Sequence, residues 1–191
     1  PVIDPSRCIG CKSCVLACPE GDVLGVIAGK AQLVNPSHCI GHGACAQACP
    51  MGAIGLVFGT AKRGVDIPLV SPTFETSVPG IFIAGELGGM GLIRNAVEQG
   101  QQAVRAVSAL PGVGAGSDLD LVIVGAGPAG LSASLAAMER GMRFVTVEQE
   151  SLGGAIAHYP RGKIVMTTPV QLPIVGAMQA GETSKEALLA F

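Results

Sequence analysis

The residues best suited to chemistry are the seven cysteines, and all of them precede residue 50. The first four read Cys8-x2-Cys11-x2-Cys14-x3-Cys18, followed by Pro19. Thiolates are soft ligands for iron, and a cubane cluster needs several of them converging from different directions. A tight loop containing Gly10 lets three near neighbours wrap one cluster, and Pro19 stops the local turn. A disulfide scaffold would need an oxidising compartment. Zinc is the other use of such spacings, but two consecutive x2 gaps ahead of Cys-Pro favour iron–sulfur over a zinc ribbon.

The pattern occurs twice. Cys8 and Cys39 stand 31 positions apart, as do Cys18 and Cys49, and the flanks Ile3-Asp4-Pro5-Ser6 and Val34-Asn35-Pro36-Ser37 align in the same register. Residues 1–62 are therefore expected to form one duplicated module. On these motifs the segment resembles the two-cluster bacterial ferredoxins. That resemblance implies that the fourth cysteine of each run crosses to the other cluster. Cys8, Cys11, Cys14 and Cys49 would then hold one cluster, and Cys39, Cys45 and Cys18 the other. The second run carries His42 where a cysteine is expected, so its cluster is either a 4Fe-4S centre with an imidazole ligand or a 3Fe-4S centre that His42 only lines. An imidazole ligand would raise the potential, as in Rieske centres. His38 is expected to be solvated.

The remaining residues carry two pieces that a nucleotide site would need. Asp120 to Val124 reads as a buried parallel strand. It feeds Gly125-Ala126-Gly127-Pro128-Ala129-Gly130, a helix from Leu131 to Arg140, a second strand from Arg143 to Val147, and Glu148. In this order Gly125 serves a tight turn, Gly127 the approach of a pyrophosphate, and Gly130 close helix–strand contact, while Glu148 would bind ribose hydroxyls. Upstream, Val78 to Glu86 reads as a loop, a short buried strand and an acid. Gly88, Gly89 and Gly91 then lead into a helix whose apolar face is Ile93, Ala96, Val97, Val104, Val107 and Leu110. Gly85, Glu86 and the start of that helix are candidates for flavin contact. Arg94 and Glu98 are expected to be solvated, and His158-Tyr159 to be structural.

Val124 to Leu131 and Pro79 to Glu86 resemble the opening and closing FAD-binding segments of the thioredoxin-reductase-like flavoproteins. Glu86 stands where that family has Asp, and Gly153-Gly154 is similar to its flavin-passing loop. The resemblance implies FAD rather than NAD as the resident nucleotide. The order, however, is reversed: the closing piece, residues 63–110, comes before the opening piece, residues 120–191, with residues 111–119 as a flexible linker. Either the domain is circularly permuted or residues 63–110 complete a different domain. No Cys-x-x-Cys remains for dithiol chemistry, and no nicotinamide domain is visible.

Composition sets the outer bounds. Of 191 residues, 14% are charged and 3% aromatic, the net charge is −2, and Gly numbers 28. Nothing here supports nucleic-acid binding or membrane insertion, and no secretory leader is visible. The expected fold is an α+β ferredoxin-like module joined to a partial, permuted α/β Rossmann-like FAD fold. The expected function is a cytoplasmic iron–sulfur flavoprotein oxidoreductase, a piece of a longer enzyme. It would move electrons between NAD(P)H, FAD and two clusters toward a protein or small-molecule acceptor, with homo-oligomerisation open. The alternative is a non-enzymatic ferredoxin-type carrier with a vestigial nucleotide domain. No catalytic side chain stands out.

Overall fold

The structure, a computed structural model, describes residues 1–57, 68–88, 91–116, 118–178 and 182–191. The expected 62/63 boundary, Gly89 and part of the 111–119 linker lie outside them. The chain divides into two compact units, Pro1–Ile81 and Phe82–Phe191. The division falls inside the expected 63–110 segment.

In the first unit the sequence duplication becomes a structural one. β1 (Val2–Ile3) precedes α1 (Ser13–Leu16), and the hairpin β2 (Leu24–Ile27) and β3 (Lys30–Leu33) follows. After a 3-10 turn at Pro36–His38 come α2 (Ala44–Gln47) and β4 (Ile54–Gly55), which pairs antiparallel with β1. α1 and α2 occupy equivalent positions 31 residues apart. Each is entered through a left-handed residue, Lys12 (φ 65°) and Gly43 (φ 73°). Behind each helix, Gly21 N–H donates to the Cys18 carbonyl and Gly52 N–H to that of Cys49, both at 3.1 Å. The β2–β3 turn, Ala28-Gly29, has positive φ at both residues, as a tight two-residue hairpin requires. One buried cluster is Cys8, Cys14, Val23, Leu24, Ala31, Cys45, Ala53 and Ile54, and Ile40, Ala44 and Phe74 are buried as well.

The second unit is built on α3 (Ile93–Ser108). Ala96, Val97, Val104 and Val107 are buried, as their helical spacing predicts, with Ile93 and Leu110 half-buried. β5 (Leu121–Val124) and β6 (Phe144–Val147) pair in parallel, Leu121 opposite Phe144, and α4 (Pro128–Glu139) connects them. α3 crosses α4 at Gly100, where an added Cβ would collide with the Ala129 carbonyl. There the Ser132 hydroxyl donates to the Val97 carbonyl at 2.9 Å. One side of α3 joins Ile123, Ala133, Ala136 and Ala137 through Val104. The other joins Met166, Val170 and Met178 through Val97. Those three belong to β7 (Ile164–Met166), β8 (Val170–Leu172) and β9 (Gly176–Met178). β8 pairs antiparallel with β9, and β7 with β10 (Thr183–Ser184), which leads into α5 (Lys185–Ala190).

Three expectations need correction. β5 is not buried throughout: Ile123 faces the α3–α4 layer, but Val122 and Val124 are exposed, because α4 covers one face of the pair and no described element covers the other. The buried strand before Glu86 is absent; Ile81 is exposed, and an isolated bridge at Phe82 stands in place of a ladder. Arg94 and Glu98 are half-buried rather than solvated, since α3 has neighbours on two sides.

The starts of β5 and β6 are clamped by one ion pair. Asp120 Oδ1 accepts from Arg143 Nη2 at 2.7 Å, and its Oδ2 from Arg143 N at 2.9 Å. The Arg143 guanidinium holds the Asp120 carboxyl well below the usual carboxylate range. Folding therefore favours the ionised form: the stabilisation is complete above about pH 4 and is lost as acid approaches the lower folded-state value. Asp120→Asn should lower the melting temperature of this unit at pH 7, and the gap to the wild type should narrow below pH 4 in calorimetric scans. A gap that is the same at pH 3 and pH 7 would show that the charge pair is not its source.

Candidate functional site

Two hollows in the first unit collect its cysteines. Cys8 and Cys11, from the loop leading into α1, and Cys14, in its first turn, line one hollow together with Cys49 from beyond α2. Backbone amides approach two of the sulfurs: Ala31 N–H donates to Cys8 Sγ and Ala53 N–H to Cys49 Sγ, each at 3.3 Å. At Gly10 an added Cβ would collide with the Gly29 carbonyl, so the hairpin tip bears directly on the ligand loop.

Cys18, Cys39, His42 and Cys45 line the second hollow, together with Glu20. Each half of the duplication thus contributes its last cysteine to the other half's hollow. His42 is 6% exposed. Its ring lies 5.4 Å from that of Phe74 at 37°, and its Nε2 is 3.8 Å from Glu20 Oε1. Phe74, itself buried, is a functional neighbour that sequence reasoning missed; its only signal is being one of five phenylalanines in an aromatic-poor chain. His38 is exposed and sits 2.8 Å from Asp22 Oδ2. Among the described residues no three His, Cys, Asp or Glu side chains gather tightly enough for a single metal ion. The thiol-rich donor sets around two separate hollows are the kind that iron–sulfur clusters require.

In the second unit the β5–α4 turn forms the other site. Gly125 (φ 100°) adopts a conformation that other residues rarely enter. At Gly130 an added Cβ would collide with the Gly125 carbonyl. Gly127 is different: its φ of −77° suits any residue, and an added Cβ would meet only the Gly153 carbonyl, at 3.9 Å. The protein thus leaves open space beside Gly127 at the start of α4, with Pro128 and Ala129 as the first helical residues. Glu148 Oε2 accepts from Ala126 N–H at 2.7 Å, and Oε1 from the amides of Gln149 and Glu150. The Ala126 amide and its neighbours hold the Glu148 carboxyl below its ordinary range, so it is an anionic acceptor with lone pairs to spare. Gly153 N–H donates to the Ala126 carbonyl at 2.9 Å, and Gly154 lies against Gly127. Gly85 reaches the same place, its Cα facing Ala129 and Ala96.

Residues 1–50 match the family model of the 4Fe-4S dicluster domain. Residues 122–189 match that of pyridine nucleotide-disulphide oxidoreductase. No curated protein and no solved structure matches the chain. The N-terminal residues are thus an iron–sulfur electron-transfer domain, whose dicluster family implies two 4Fe-4S clusters, and the C-terminal residues a flavin/NAD(P) oxidoreductase segment. Among the described residues no helix is long and apolar enough to cross a membrane.

The dicluster hollows treat their cysteines unequally. The Ala31 amide pulls the Cys8 thiol below its ordinary range, and the Ser13 hydroxyl does the same for exposed Cys11. Burial pushes Cys14 and Cys45 up. The thiols of Cys8 and Cys11 therefore ionise more readily than those of Cys14 and Cys45, which a metal would have to strip of their protons.

Around the nucleotide site, sequence reasoning also missed Gln99. It is 1% exposed on α3, and its Oε1 accepts from Gly85 N–H at 2.7 Å, which fixes the loop carrying Glu86. Glu86 is exposed beside Gly91. Exposed His158 pairs with Glu150 at 2.8 Å, and half-buried Tyr159 lies under Lys163. The contrast between two glycines gives a test. Gly130→Ala should destabilise the unit by about 1–3 kcal/mol through overpacking. Gly127→Ala should leave the melting temperature of flavin-free protein unchanged while weakening FAD binding about tenfold or more. Equal destabilisation by both substitutions would remove the ligand-facing role of Gly127.

Proposed function

We propose that this chain is an iron–sulfur flavoprotein oxidoreductase, or the cluster- and flavin-bearing part of one, that moves electrons between reduced pyridine nucleotide, FAD and two clusters. One observation carries the reading: a four-cysteine hollow and a three-cysteine, one-histidine hollow share a chain with an open glycine turn at a helix N-terminus. FAD accepts two electrons as a hydride and releases them singly, which matches one-electron clusters. Cys8, Cys11, Cys14 and Cys49 hold the first cluster, and Cys18, Cys39, Cys45 and His42 the second. Gly127 and the α4 N-terminus receive the pyrophosphate, Glu148 accepts from ribose hydroxyls, and the Gly153-Gly154 loop passes the flavin.

The nucleotide domain in this reading is circularly permuted. The support is that α3, from the closing piece, crosses α4, from the opening piece, with no room for a side chain at Gly100. Gly85 also faces Ala129 in the glycine turn. Gln99 then acts by fixing the loop that presents Gly85 and Glu86. The acceptor is a redox partner protein or a small molecule.

The test is an anaerobic absorption spectrum of the purified chain with iron, sulfide and flavin quantified, followed by NADH and NADPH additions. About one flavin and about eight irons per chain are expected. About seven irons would instead place a 3Fe-4S cluster beside His42. In that case His42→Cys should restore the eighth iron, whereas with His42 as ligand it should leave the count unchanged and lower that cluster's potential. Clusters without flavin would overturn the enzyme reading and leave an electron carrier.

A further inference from the structure

The tip of the β2–β3 hairpin does more than cover the first hollow. Lys30 Nζ donates to the Cys8 carbonyl at 2.6 Å. The next residue, Ala31, donates its amide to Cys8 Sγ at 3.3 Å. One turn of chain thus delivers a cation to the backbone of a cluster ligand and a hydrogen bond to its sulfur. Lys30 is half-buried and held by that contact, whereas Lys12, which lines the same hollow, is exposed and screened by water. Nothing in the duplication supplies Lys30. The matching position in the second half would be residue 61, an alanine outside the described residues. At the second hollow Glu20 stands 3.8 Å from His42.

Cluster potentials depend on net charge and on hydrogen bonds to the sulfurs. Reduction adds one electron and no atom, so a fixed positive charge nearby favours the reduced state. We propose that Lys30 is a positioning and tuning residue that raises the potential of the cluster held by Cys8, Cys11, Cys14 and Cys49, bringing it closer to that of the histidine-side cluster. This rests on the ligand sets proposed above.

Redox titration of the cluster-loaded full chain, followed by electron paramagnetic resonance with dithionite as the electron source, tests this directly. The first cluster's signal is the one altered by Cys14→Ala. Lys30→Gln keeps a donor for the Cys8 carbonyl and removes the charge; Lys30→Arg keeps both. At the wild-type midpoint, Lys30→Gln should lower the first cluster's reduced-to-oxidised ratio by about threefold or more, with the second cluster moving less and the iron content unchanged. Lys30→Arg should restore the wild-type midpoint. A fully loaded Lys30→Gln protein with an unmoved midpoint would overturn the inference. So would loss of the first cluster in both variants, which would make Lys30 structural only. Absence of any cluster signal from the wild-type chain would defeat the ligand reading instead, and that outcome is distinguishable by iron and sulfide content alone.

Discussion

The first unit depends on burying sulfur. Three of its seven cysteines, Cys8, Cys14 and Cys45, belong to its buried core, and Cys18, Cys39 and Cys49 pack against that core half-buried. The apolar part of that core cluster is Val23, Leu24, Ala31, Ala53 and Ile54, and Ile40, Ala44 and Phe74 are buried elsewhere in the unit. A domain of this size is marginal on hydrophobic burial alone and usually needs a metal or a covalent link. The thiols also carry a conflict that only a metal resolves. Burial disfavours the thiolate at Cys14 and Cys45, yet iron binds the thiolate. On the proposed ligand sets, coordination would remove the protons and fill the hollows in one event, coupling metal binding to folding. The short helices, two-residue strands and left-handed entry residues make sense as a wrapping for two clusters rather than as elements stable in their own right.

The second unit solves a different problem, bringing backbone close to backbone. Glycine and alanine line the crossing of α3 with α4, and the glycines at 100 and 130 have no room for a methyl group. The same economy of side chains leaves Gly127 open. The sheet that carries this turn has two parallel strands, with Val122, Val124, Val145 and Val147 exposed. Parallel sheets are ordinarily covered on both faces, so this is the least self-sufficient surface of the unit.

Much of this was legible in the sequence because it is local. Cysteine spacing, the 31-residue repeat and the Gly125-to-Glu148 run are short-range patterns, and the elements follow them closely: α1 and α2 keep the repeat register, and β5 and β6 pair in parallel. The apolar face of α3 was legible for the same reason, since helical spacing selects it whatever it packs against. What escaped depends on distant pairing. Gln99 gives no local sign that it will hold the Gly85 loop from fourteen residues away. Phe74 gives none that it will cover His42. Lys30 meets Cys8 only because a hairpin turn folds back on the ligand loop. The expected strand before Glu86 failed for the complementary reason: an apolar run becomes a strand only where a partner offers a ladder.

On the proposed ligand sets, the clusters serve as the core of the first unit. The most direct measurement is amide hydrogen exchange, read by mass spectrometry, on the loaded chain before and after anaerobic iron removal with a chelator. Residues 1–57 should lose protection together when iron leaves, while protection within residues 118–178 should be retained. Protection in residues 1–57 that survives iron removal would contradict it, because the unit would then have a core that does not need its metal.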